Sequence, residues 1–369
     1  MTPKFSEAIP SPLQSLFESF RAGERVALAR AISVIENERP GFQPFLHRAL
    51  ESGPRAKRLG LTGPPGAGKS SLAAILATLA RSRDEQVGIL AVDPTSPYSG
   101  GALLGDRIRM NDLATDSGIF IRSMATRGSL GGLATTSKEV IDLMDAFGME
   151  RLIVETVGIG QTELEITGAV DTVVVVLVPE SGDGIQAMKA GMMEIADIFV
   201  VNKADRPGAD HLVKDLETAL HLRKGEGPSG VPAHHGVDHS RVEHRRVEHR
   251  RVGKDPPVHP SPESPETATW SIPVLKTVAQ SGEGVEELFE AVERHYAFLD
   301  ASGGLMERRR ARAAVRVREV ANRELLGVLW RNERTRVLLE AGLDRIEAGD
   351  ATPYSVSSSI LAELLDAAG

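Results

Sequence analysis

Residues Gly63-Pro64-Pro65-Gly66-Ala67-Gly68-Lys69-Ser70 have the types and spacing that hold a triphosphate. They follow a short apolar run, RLGLT, and open a helical stretch, SSLAAILATLA. Glycines let backbone N–H groups converge on phosphate oxygens, and a helix N-terminus adds partial positive charge there. Lys69 is expected to reach the β- and γ-phosphates, Ser70 to offer its hydroxyl to Mg²⁺, and Ser71 to join the phosphate-binding turn. The base is read further on, from Asn202-Lys203-Ala204-Asp205 at the end of the apolar run DIFVVNK. A carboxylate at Asp205 can accept two hydrogens from guanine N1 and N2, whereas adenine would leave it facing a lone pair. A buried acceptor left unpaired costs about 1–3 kcal/mol, so GTP is the expected nucleotide. Acidic residues at two other run ends, Asp93 after VGILAV and Glu155 in RLIVETV, suit the metal shell. Gly158 can present its N–H to the γ-phosphate, and Asp106, on a Gly-flanked stretch, is a third acidic candidate. Transfer of phosphate to water needs alignment and charge neutralisation rather than a protein nucleophile, and these residues supply both.

Such residues must be held by a scaffold, and the chain spells one out. Between residues 58 and 277 it alternates short β-rich runs with helix-length segments. The runs span residues 58–62, 87–93, 118–123, 151–157, 171–178, 197–203 and 271–277. Runs without polar alternation are strands covered on both faces, which makes a mostly parallel sheet in an α/β layer fold. Residues 1–57 read as a helical extension, with Val26, Leu28, Ala29, Ile32 and Val34/Ile35 on one broad stripe before Pro40. Residues 58–300 form the nucleotide-binding domain, and 301–369 a C-terminal helical arm. Arginines crowd residues 306–345 around Val315, Val320, Leu325, Val328, Leu329 and Leu338. Periodicity alone leaves open whether they form a solvated face, a packing seam or a dimer contact. Residues 225–268 carry a tandem repeat, HSRVE-HRRVE-HRRV, with almost no large apolar side chains, and read as a disordered insertion. Eight of the 10 histidines fall between His211 and His259, but a spacing of five puts neighbours on different helical faces.

Composition narrows the function. With 369 residues, 41% hydrophobic and 25% charged, the chain reads as an ordinary globular protein. A net charge of −8 argues against a general nucleic-acid binder. The absence of cysteine removes disulfides, thiolate metal sites and cysteine nucleophiles. Val173–Val178, the longest strongly apolar stretch, is too short to span a bilayer, and no signal-like core opens the chain. No membrane association and a cytoplasmic location are expected.

The stretches GLTGPPGAGKSSL, AVDPTSPYSGGALLGDRIRM, FIRSMATRGSLGGLA, VETVGIGQTE, VNKAD and SIPVLKTVAQSGEGVEEL resemble one known family. It comprises the methylmalonyl-CoA mutase-associated GTPases, G-protein chaperones of cobalamin-dependent acyl-CoA mutases. The resemblance implies a P-loop GTPase of the dimerising, signal-recognition-like branch. Lys69, Ser70, Asp93, Asp106 and Glu155 would serve phosphate and Mg²⁺, and Asn202 and Asp205 would read guanine. Thr277-Val278-Ala279 would back the base. Residues 179–191 resemble the switch that couples nucleotide state to the mutase, with Gln186 and Lys189 at its polar positions. The C-terminal helices resemble a dimerisation arm, and the repeat at 225–268 departs from the family pattern. Two rival readings are a nickel-insertion metallochaperone GTPase, suggested by the histidines, and a transport-associated kinase or ATPase for basic amino acids. The missing cysteines count against the first, and the NKAD stretch against the second.

Overall fold

The computed structural model describes residues 8–93, 113–125, 135–156, 165–179, 191–223 and 269–368. Its centre is a 7-stranded, wholly parallel sheet in the order β3-β2-β4-β1-β5-β6-β7. The strands are β1 (Lys57–Thr62), β2 (Val87–Asp93), β3 (Ile119–Ala125), β4 (Arg151–Thr156), β5 (Thr172–Leu177), β6 (Ile198–Asn202) and β7 (Val274–Thr277). Every apolar run expected to be a strand is one. Several run shorter than the pattern suggests, and for β7 and β6 the cause is visible. Pro273 has no N–H for the ladder, so β7 starts after it. β6 stops at Asn202 because Lys203 adopts a left-handed φ of 57°.

Alternate strand residues supply two separate cores. Leu59, Leu61, Ile153, Val174, Val176 and Val200 meet α4 (Lys69–Arg81) and α7 (Val285–Ser302) on one face. Leu90, Val154, Val173, Val175, Phe199 and Val201 face the other way. That second face is covered by α1 (Ser11–Arg21), α2 (Arg25–Glu36), α3 (Phe42–Ala49), α5 (Thr135–Phe147) and α6 (Ala209–Arg223). Phe45 of α3 meets Phe17 and Phe20 of α1 edge-on, and Phe20 also meets Phe147 of α5 at 5.3 Å between ring centres. One stripe residue is misplaced by the sequence reading. Val26 is 64% exposed, while Leu28, Ile32 and Ile35 are fully buried.

The C-terminal helices are α8 (Gly304–Arg331), α9 (Glu333–Glu347) and α10 (Pro353–Ala368). The arginines of α8 are largely not a solvated face. Arg308 grips Asp197 through both guanidinium nitrogens, at 2.9 and 2.8 Å. Arg312 reaches Asp171 at 2.6 Å, and Arg309 reaches the same carboxylate at 3.2 Å. Arg316 and Arg323 both pair with Glu139 of α5, at 2.9 and 3.0 Å. Asp171 and Asp197 sit just before β5 and β6, so this seam lies at the N-terminal edge of the sheet. Burial alone would raise the Asp171 carboxyl, but Arg312 and Arg309 outweigh it and hold it below the usual carboxylate range. Asp197 is likewise held down, against burial, by His295 and Arg308. Outward, α8 leaves Val317, Leu325, Leu326, Val328 and Trp330 exposed. Leu329 alone turns into a small core with Val356 and Ile360 of α10.

Candidate nucleotide site

β1 delivers the chain to its glycine-rich turn from the middle of the sheet, between β4 and β5. Gly63 leaves the strand at φ 133°, and a Cβ there would strike the carbonyl oxygen of Val176 on β5. Gly66 and Gly68 take left-handed φ values of 74° and 91°. A Cβ on Gly68 would collide with the Asn202 side-chain amide. Gly68 caps α4, whose first-turn N–H groups have no carbonyl of their own helix and face an incoming anion.

Around this turn the functional side chains are drawn in. Lys69 is buried, and its Nζ donates to the carbonyls of Gly63 and Pro64 at 2.8 and 3.0 Å. Those bonds keep the ammonium inside the turn where phosphate oxygens are expected. Ser70 Oγ donates to Glu155 Oε1 at 2.6 Å, and both residues are buried. A hydroxyl and a carboxylate side by side are the hard oxygen donors that suit Mg²⁺. Pro64, Pro65 and Ala67 complete the turn, with Ala67 fully buried, and Ser71 lies half-buried in the first turn of α4.

Asn202 ties the base-reading loops to this turn. Its Nδ2 donates to the Ala67 carbonyl at 2.7 Å. Its Oδ1 accepts from Thr277 Oγ1 at 3.1 Å and from the Ala279 N–H at 3.0 Å. The Ala204 N–H donates to Thr277 O at 3.0 Å, fastening the two loops a second time. Beyond Thr277 the chain makes a tight turn closed by the Val278–Glu283 bridge. It ends at Gly284, where a Cβ would strike Lys276 O. Asp205 stands exposed at the rim, and Lys203 is half-buried beside it. The structure thus brings together residues 63–71, Glu155, 202–205 and 277–279. Asp93 is the last residue of β2, two positions past Ala91, which pairs with Glu155, so its backbone lies at the same sheet edge. The side chain of Asp93, and Asp106, Gly158, Gln186, Lys189 and the insertion 225–268, lie outside the described residues.

Two features escape the sequence reading. One is the strut role of Asn202, which motif spacing cannot reveal. The other is a hydroxyl pair, Thr156 Oγ1 donating to Thr62 Oγ1 at 3.0 Å. Its only sequence signal is a threonine at the end of each of two otherwise apolar strands.

A family model described as Methylmalonyl Co-A mutase-associated GTPase MeaB matches residues 28–334. The chain belongs to this family. Among relatives of this MeaB-family chain, a putative GTPase of Pyrococcus horikoshii is 39% identical, covering 96% of the chain and 99% of the relative. GTPase ArgK of Escherichia coli is 32% identical over 85% of each. A crystal structure described as LAO/AO transport system kinase matches with a TM-score of 0.62 at 25% identity, covering 96% of this chain and 98% of that one. The MeaB-family chain is therefore a P-loop GTPase with a parallel sheet flanked by helices, and its family implies that it binds a guanine nucleotide. Among the described residues, no group of three His, Cys, Asp or Glu side chains stands ready to hold a metal ion. No described helix is long and apolar enough to cross a membrane.

Proposed function

We propose that the chain is a Mg²⁺-dependent, GTP-hydrolysing chaperone of a cobalamin-dependent acyl-CoA mutase. It binds the mutase, gates cofactor loading and protects the enzyme from inactivation. The observation that carries the nucleotide half is Asn202, which holds the phosphate turn at Ala67 and the base loops at Thr277 and Ala279 while Asp205 stays open at the rim. The mutase half rests on the family description and on the resemblance of residues 179–191 to a coupling switch.

Lys69 exchanges the carbonyls of Gly63 and Pro64 for phosphate oxygens when nucleotide enters, a swap to charge-assisted bonds. Ser70 and Glu155 would hold Mg²⁺, and Asp93 and Asp106 would serve it as further acidic groups. Mg²⁺ supplies charge neutralisation across the phosphates. Gly158 offers its N–H to the γ-phosphate, Asp205 accepts from the guanine edge, and Val278 and Ala279 back the base. Hydrolysis is slow alone, because alignment of water is left to segments that a partner orders.

The arm at 301–369 serves as a dimerisation element, apart from the extension at 1–57 and the GTPase domain at 58–300. Its arginine row is turned to the body while Val317, Val328 and Trp330 face solvent, which supports a homodimer. No nucleic acid or membrane partner is proposed, and the cytoplasm is the expected compartment.

The test of base selection is Asp205→Asn, measured by competition among GTP, ATP and XTP. Wild type should prefer GTP over ATP by at least a hundredfold, on the order of the discrimination that buried unpaired groups give. The variant should shift toward XTP. Equal binding of ATP and GTP by wild type would sink the reading.

A further inference from the structure

The buried threonine pair joins the two strand ends from which the nucleotide loops depart. Thr62 is the last residue of β1 and runs directly into Gly63. Thr156 is the last residue of β4 and runs directly into Val157 and Gly158. The paired register of these strands ends with Leu61 opposite Glu155, so the hydroxyl bond lies one residue beyond it, where the ladder has stopped. Both side chains are buried, at 0% and 1% exposure. In a strand, neighbouring side chains point to opposite faces. Glu155 therefore turns toward α4, where it accepts from Ser70, while Thr156 turns to the other face and bonds Thr62. Two consecutive residues of β4 thus hold both ends of the phosphate turn, one from each face of the sheet.

We propose that Thr62 is a positioning residue for GTP hydrolysis, acting through Thr156 to fix where the chain leaves β4 relative to the phosphate turn. This inference rests on the proposed reading of the site, in which Gly158 meets the γ-phosphate. The α- and β-phosphates are gripped by the turn and by α4 whether or not the threonine bond exists. In that reading, only the γ-phosphate is met by a residue beyond Thr156. Losing the bond should therefore slow turnover and spare GDP binding.

Thr62→Val keeps the side-chain shape and removes the hydroxyl. Its expected effect is a kcat for GTP reduced by roughly tenfold, a modest case of what small misplacements cost. GDP affinity and KM should stay within about twofold of wild type, since uniform binding is untouched. Thr62→Ser, which restores a hydroxyl, should recover most of the rate. Thr156→Val removes the same bond from the other side and should match Thr62→Val, and the double variant should be no slower than either, because one interaction is lost once. If Thr62→Val does not fold, Thr156→Val against Thr156→Ser carries the same comparison. Wild-type turnover in the valine variants, or GDP affinity falling in step with kcat, overturns the proposal. A wild-type protein that does not hydrolyse GTP at all would instead overturn the GTPase reading beneath it.

Discussion

Asn202→Ala separates two roles that a base-reading asparagine is usually given together. If Asn202 acts mainly on the nucleotide, removing it leaves the nucleotide-free protein untouched. The structure says otherwise, because its side chain makes three hydrogen bonds within the protein itself, buried ones to Ala67 O and Thr277 Oγ1 and a part-buried one to the Ala279 N–H. A typical net contribution is about 1 kcal/mol per bond, which puts the loss near 3 kcal/mol before any penalty for stranded partners. At about 2.1 cal/mol/K of unfolding entropy per residue, each kcal/mol moves the midpoint of a chain this long by about 1–2 °C, so Tm should fall by about 3–6 °C. The assay is thermal unfolding followed by circular dichroism, in EDTA and after complete removal of nucleotide. Asp205→Ala serves as the control, since Asp205 is exposed and its removal should change Tm by no more than about 1 °C, as surface substitutions do. Affinity for GTP should fall in both variants, but for different reasons. An Asn202→Ala protein as stable as wild type without nucleotide would refute the strut argument, whatever happens to GTP affinity.

Asp171 should make the arm seam sensitive to acid. Its folded carboxyl is held below the usual range, so its contribution is present above the ordinary carboxylate pKa of about 3.9 and is lost as pH falls through the depressed folded value. Denaturant titrations should therefore show Asp171→Asn less stable at pH 7 by about 3–5 kcal/mol, the cost of breaking a buried pair. That gap should narrow as pH falls below the ordinary carboxylate range, and a gap independent of pH would contradict the assignment. Lys189→Ala, in the proposed coupling segment, should leave unstimulated hydrolysis within about twofold, because Lys69 and backbone amides already hold the phosphates. It should abolish most of the acceleration on adding the cognate mutase, and equal stimulation of both proteins would move coupling elsewhere in residues 179–191.

What the sequence could and could not disclose follows from how far each interaction reaches along the chain. The strands were legible because a parallel sheet covered on both faces must be apolar without interruption, and such runs, as at Thr172–Leu177, announce themselves locally. The phosphate turn is legible for the same reason, since the close approaches at Gly63 and Gly68 are written as glycines within one short stretch. Val26 departs from the stripe, at 64% exposed, for a geometric reason. Two residues apart on a helix is about 200° around it, so Val26 cannot share a face with Leu28. The sequence leaves the arginines of α8 open for a deeper reason. Spacings that place Arg308, Arg312, Arg316 and Arg323 along one side look alike whether that side meets water or carboxylates. The carboxylates that decide it, Asp171, Asp197 and Glu139, come from two strand entrances and a separate helix. The Asn202 strut is of the same kind, closing loops drawn from widely separated parts of the chain. The site therefore needed two levels of reading. Short motifs name the groups that touch phosphate and base, and only the packed sheet brings those groups within reach of one another.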